Sequence, residues 1–157
     1  MKNYIYPLAA LLLVGCSSGN VETWSPEQRA EQRDLVVVAK ITNIKQSTRV
    51  KGLNPRGTET WGCLMIVEEK LKGESGHKEG TKFPVLFERG KPLEGGGRET
   101  RTPPFPALKN GDSGTFYLTS YAGEDKVAIG YSAESPQRFF LLESSFDFIP
   151  KTAGSAP

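Results

Sequence analysis

The stretch DLVVVAKITNIK, residues 34–45, does most to narrow what this chain can become. It is dense in β-branched residues, and an extended backbone puts Leu35, Val37, Ala39 and Ile41 on one face and Val36, Val38, Lys40 and Thr42 on the other. The first half is apolar on both faces and the second half is polar on one, which predicts a strand that enters a core and leaves it. Further strands are expected at Thr60–Lys70, Lys82–Glu88, Thr115–Tyr121 and Lys126–Ser132. Phe139–Glu143 is read as a sixth strand, although Ser135-Pro136 ahead of it also suits the start of a helical turn. One short helix is expected over Pro26–Arg33, where Ser25 can act as N-cap, Pro26 takes the first position and Gln28 the third. That helix has few apolar positions and is expected on the surface. With no βαβ alternation, the chain should be mainly β, a small barrel or sandwich of five to six strands.

The N-terminus is of a different kind. A single cation, Lys2, precedes the apolar run Tyr4–Val14, which is too short to span a bilayer, since a spanning helix needs roughly twenty residues. It reads as the apolar region of a secretory signal peptide covering residues 1–15. The tetrad Leu13-Val14-Gly15-Cys16 resembles the lipobox of bacterial lipoproteins, and that resemblance implies that the Cys16 thiol becomes a thioether to diacylglycerol, whose acyl chains are of the palmitate type. Several acyl chains anchor stably where one holds only marginally. Residues 16–24 then form a polar tether, and the expected location is the cell envelope. Ser17 rather than Asp after the cysteine resembles an outer-membrane address facing the periplasm in a Gram-negative host.

Composition excludes several function classes. Residues 1–15 carry only Lys2 among the charges, so their removal lowers the net charge of +2 by one unit. A balance this close to neutral makes no case for a nucleic-acid partner. The chain has two cysteines, and with Cys16 committed to lipid no intramolecular disulfide can form. Cys63 lies in the apolar stretch TWGCLMIVEE and is expected in the core. Residues 25–150 make one domain and 151–157 a flexible tail.

The order DLVVVAKITNI, IVEEKLKG, a hairpin with KFPVLFE, then NGDSGTFYLTS, over about residues 34–132, is similar to the netrin-like module, the OB-type barrel of tissue inhibitors of metalloproteinases and of many bacterial lipoproteins. The resemblance implies an OB-like barrel. It does not carry over the inhibitory chemistry of the animal members, which uses a free N-terminal cysteine amine on the target's zinc, because Cys16 is expected to be acylated and the family's disulfides are absent.

The letters GDSG at residues 111–114 raise the question of a serine nucleophile. A small serine hydrolase would need a base for Ser113, and the chain's one histidine, His77, sits in the glycine-rich turn ESGHKEG. The competing reading is structural: Asn110-Gly111-Asp112 is turn chemistry ahead of an alternating strand, which makes Ser113 a turn residue. One histidine and one free cysteine without ligand spacing give no metal site, and Gly95-Gly96-Gly97 does not open a helix after a strand, so no cofactor is expected. Glu68 and Glu69 are neighbours on a strand and should point to opposite faces.

What remains is recognition. The two longest loops, Gln46–Glu59 and Arg89–Gly114, carry the candidate binding residues Arg49, Lys51 and Arg56 in the first and Arg98, Arg101 and Phe105 in the second. Acids among them imply a partner that is only mildly acidic. The expected function is a non-catalytic, lipid-anchored envelope protein that binds a protein or cell-wall partner through barrel loops, an inhibitor-like role being one form of it. The alternative is a small serine hydrolase using Ser113 and His77.

Overall fold

The structure, a computed structural model, describes residues 24–46, 58–121 and 139–152. Helix α1 (Pro26–Glu31) is followed by strands β1 (Leu35–Gln46), β2 (Glu59–Lys72), β3 (Lys82–Arg89), β4 (Ser113–Tyr121), β5 (Phe139–Leu142) and β6 (Phe148–Pro150), with a 3-10 turn at Ser145–Asp147 before the last. Hydrogen bonding runs β1–β2–β3–β5–β4, and β4 returns to β1, which closes a five-strand barrel with β6 as an added strand. All pairings are antiparallel except β3 with β5. The result is a small OB-like barrel. Among the described residues no helix is long and apolar enough to cross a membrane.

The alternation in β1 does what its sequence dictates. Leu35, Val37, Ala39 and Ile41 face inward with at most 1% exposure, and Lys40 is exposed. Met65, Val85, Phe116 and Leu118 complete a core sealed from water. Cys63 lies there too, as expected, and burial pushes its thiol up to about 12. One extra residue of β1 is accommodated between Thr42 and Lys45, where Asn43 takes φ 55°, a left-handed conformation asparagine tolerates better than most residues. Such a bulge sharpens strand curvature, which barrel closure needs.

Four expectations change. The segment Phe139–Leu142 is a strand, but β6 was not foreseen; the predicted strand Lys126–Ser132 lies outside the described residues. Ser113 is the first residue of β4, paired with Lys40 of β1, rather than part of the preceding turn. Helix α1 ends at Glu31 and is not a purely superficial element, because Arg29 and Arg33 are 7% and 8% exposed. Glu68 falls at a register shift between β1 and β2, so strict alternation fails there, and both it and Glu69 are exposed.

The buried arginines explain how so polar a helix is held. Ser25 caps it, its hydroxyl accepting from Gln28 N at 3.2 Å while the Gln28 side chain accepts from Ser25 N at 2.9 Å. Arg29 lies 5.7 Å over the ring of Tyr117, whose strand neighbour across β1 is Val36, so α1 covers the outer face of β1 and β4. Just past the helix, Arg33 donates Nε and Nη2 to the two oxygens of Asp147, at 3.1 and 3.0 Å. Asp147 is wholly buried and also accepts from Ser144 Oγ at 2.9 Å. This fork joins the start of the domain to its C-terminal segment.

Removing Arg33 strands a wholly buried carboxylate, so Arg33→Ala is expected to destabilise by about 3–5 kcal/mol in urea unfolding, whereas Asp147→Ala leaves Arg33 paired with Glu143 at 2.8 Å and should cost less. Replacing Arg33 and Asp147 with Met and Leu should cost less than Arg33→Ala alone; an equal or larger loss would contradict the stranded-charge account. For Cys63, a Cys16→Ser chain should react with a thiol reagent only slowly when native, even at pH 9, and rapidly in denaturant. Fast native labelling would place Cys63 outside the core.

Candidate functional site

Each letter of the GDSG stretch has a structural task. Gly111 adopts φ 94°, which suits glycine, and its N–H donates to Ile41 O at 2.9 Å. The Asp112 carboxylate accepts from Lys109 N at 2.8 Å, and the Asp112 carbonyl accepts from Ile41 N at 2.8 Å. Asn110 Oδ1 accepts from Ile44 N at 2.9 Å. Gly114 sits under β6: a Cβ there would collide with Ile149 O and stand 2.9 Å from Pro150 Cα. Ser113 is an ordinary ladder residue whose hydroxyl lies 3.4 Å from both oxygens of Glu68, and whose carbonyl accepts from Lys151 N at 2.9 Å.

His77 is engaged elsewhere. Its ring meets Phe83 and Phe140 edge-on, at centroid distances of 4.8 and 5.1 Å, and burial among them holds its pKa below the usual histidine value. No hydrogen bond joins Ser113 to His77, so the contact between nucleophile and base is not made in this structure. Among the described residues no group of three His, Cys, Asp or Glu side chains gathers as metal ligands.

Among the described residues, a cavity of about 470 Å³ is built by the connection from β3 to β4; Arg89, Arg98 and Arg101 line it together with Glu99, Lys109 and the apolar Pro104, Phe105, Pro106 and Leu108. This volume falls within the roughly 300–1,000 Å³ of small-molecule sites. The loop is pinned from within, because Leu108 is 3% exposed and belongs to the core cluster. It is pinned from without by its arginines. Arg98 Nη1 donates to Glu59 Oε2 and to Gly90 O, both at 2.8 Å. Arg101 donates to Glu88 Oε2 at 2.9 Å and to the carbonyl of Glu143, and its guanidinium stacks 4.3 Å from the Phe105 ring centroid. Bonds from Arg98 first, and then from Trp61 Nε1, hold the Glu59 carboxyl below the usual carboxylate range.

Three of the expected binding residues, Arg98, Arg101 and Phe105, thus line one cavity. Phe105 is partly buried under Arg101 rather than standing out as a free anchor. Arg49, Lys51, Arg56 and Cys16 lie outside the described residues. Neither Arg89 nor Trp61 is among the binding residues expected from the sequence, yet the Arg89 guanidinium lies 4.2 Å over Trp61 and lines the cavity. That placement follows from the β2–β3 register, which sets Glu59 opposite Arg89 and Trp61 opposite Phe87.

The fold and this site define a closed β-barrel carrying one arginine-walled, apolar-floored cavity. The chain matches no protein-family model, no curated protein and no solved structure.

If Gly114 serves the approach of β6, Gly114→Ala should destabilise by about 1–3 kcal/mol, as overpacking does. Gly76→Ala, where a Cβ meets nothing within 4 Å, is the control and should leave the melting temperature close to that of the parent. Equal melting temperatures for both variants would refute the close-approach role.

Proposed function

We propose that this chain is a non-catalytic, lipid-anchored cell-envelope protein that engages a protein or cell-wall partner through the loops at one end of its barrel. The observation that carries this reading is the convergence of Arg98, Arg101 and Phe105 on a single cavity held by a rigid scaffold. Arginine and aromatic side chains are the residue types that dominate recognition energetics, and here Arg101 and Phe105 are presented together. Charged groups of both signs at the rim tune association rate more than affinity. The anchor is Cys16, acylated after removal of residues 1–15, and residues 16–24 lead from it to α1. In a Gram-negative host the domain faces the periplasm from the outer membrane.

The intact mass of membrane-extracted protein should correspond to a chain beginning at Cys16 plus acyl groups, and Cys16→Ser should release the protein from the membrane. Crosslinking of the native lipidated protein should capture a partner whose yield falls severalfold in an Arg101→Ala, Phe105→Ala double variant. The Arg101 and Glu88 side chains are 35% and 21% exposed, so water screens the pair in part and its loss should cost on the order of 1 kcal/mol of stability. Undiminished capture by the double variant would move the binding face away from this loop.

A further inference from the structure

The cavity of the β3–β4 loop joins an apolar floor to a wall of guanidiniums, and those guanidiniums are not equivalent. Arg98 and Arg101 are each matched by a carboxylate, Glu59 at 2.8 Å and Glu88 at 2.9 Å. Arg89 is not. Its Nη2 donates to Leu108 O at 2.8 Å and its plane rests on Trp61, with Phe87 at 5.3 Å; among the described residues no carboxylate bonds to it. Arg89 is also partly buried, and that desolvation, with Arg98 nearby, lowers its pKa from the usual arginine value. It nevertheless stays charged at neutral pH, because arginine does not deprotonate in proteins. A guanidinium has five N–H donors in a fixed fork, so one bond to a carbonyl leaves most of them open.

Glu59 acts on Arg89 through space but spends its hydrogen bond on Arg98, so Arg89 is a partly desolvated cation with no carboxylate bonded to it, which favours a ligand that brings a negative charge. Arg98 and Arg101 are each engaged by a carboxylate, and Lys109 and Glu99, which also line the cavity, offset each other in charge, so one negative charge suits the site better than two. The floor of Pro104, Phe105, Pro106 and Leu108 offers no polar side chain and suits an apolar body. We propose that this cavity binds a carboxylate carried on an apolar or aromatic body, with the carboxylate on the open donors of Arg89 and the body against Phe105 and Leu108. This chemistry has two sources, a free small acid or the C-terminal residue of a polypeptide. The site goes beyond the envelope-binding reading, since it requires neither the lipid anchor nor the crosslinked partner.

The test is calorimetric titration of the purified full chain with four probes, alongside Trp61 fluorescence as a report on the stacked Arg89. The probes are 3-phenylpropanoate, 3-phenylpropanamide, and two N-acetylated tetrapeptides ending in phenylalanine, one a free acid and one an amide. The acids should bind at least about tenfold more tightly than their amides, as a charge-assisted hydrogen bond to guanidinium implies, and added salt should weaken them. Binding of both acids assigns the site to free acids and chain ends alike, and binding of the peptide acid alone assigns it to chain ends; each supports the proposal. Arg89→Met should weaken acid binding at least about tenfold, and Phe105→Ala should weaken acid and amide alike. The comparison of acid with amide needs no variant and stands even if Arg89→Met fails to fold. Amides that bind as tightly as acids, failure of both acids to bind, or unchanged affinity in a folded Arg89→Met chain would overturn the proposal.

Discussion

A five-strand barrel closes only when its first strand is hydrogen-bonded along both edges, one of them to a strand distant in sequence, and β1 meets that requirement here. Its first six residues, Leu35–Lys40, pair with β4 on one side, while β2 runs along the other. Everything inward of that closure is sealed, which is why the inner positions of β1 are uniformly apolar and Lys40 must point outward. Just before β4 begins, the turn at Asn110–Asp112 continues the same edge, satisfying Ile41 through backbone bonds and Ile44 through the Asn110 side chain. The segment that looks most like a catalytic motif is therefore the extension of a β-ladder, and Gly114 leaves room for β6 on the opposite edge of β4.

Closure also sets how the ends of the domain are held. β5 and β6 share one edge of β4, β5 pairing with Thr119–Tyr121 and β6 with Gly114–Phe116. The turn between them must be placed so that Phe148 arrives stacked on Phe116, at 4.5 Å. The Arg33–Asp147 fork fixes that turn against the chain just beyond α1. A buried ion pair is weak evidence for net stability, because desolvation opposes the attraction, but its two-point geometry makes the position specific.

The sequence carried the barrel core because alternation is a local property: Leu35, Val37, Ala39 and Ile41 can be sorted by counting in twos. It carried β2 and β3 for the same reason. Ser113 reads as a turn residue from the turn chemistry of Asn110-Gly111-Asp112, but the strand begins one residue beyond that turn, and Gly114 within it marks a place where another backbone comes close. β6, with three residues, is too short for alternation to speak. The burial of Arg29 and Arg33 was not legible, since arginine is ordinarily exposed and the partner of Arg33 lies 114 residues away. The cavity was legible in part. Loop length and charge pointed to Arg98, Arg101 and Phe105, but the place of Arg89 over Trp61 depends on a strand register that composition does not contain.

The long β3–β4 connection shows how a segment rich in Gly, Pro and charge can be ordered without secondary structure of its own. Such composition usually goes with too little apolar burial to offset the entropy of ordering. Here Leu108 supplies a core anchor, and the arginines act as ties to strand ends, Arg98 to Glu59 of β2 and Arg101 to Glu88 of β3. A count of cations in this loop therefore overstates the charge offered to a partner, because two of its guanidiniums are already engaged by the barrel. Arg89 differs in lying on aromatic rings and a single carbonyl instead of a carboxylate. The recognition capacity of the loop accordingly rests less on its net charge than on the open donors of Arg89 beside an apolar surface.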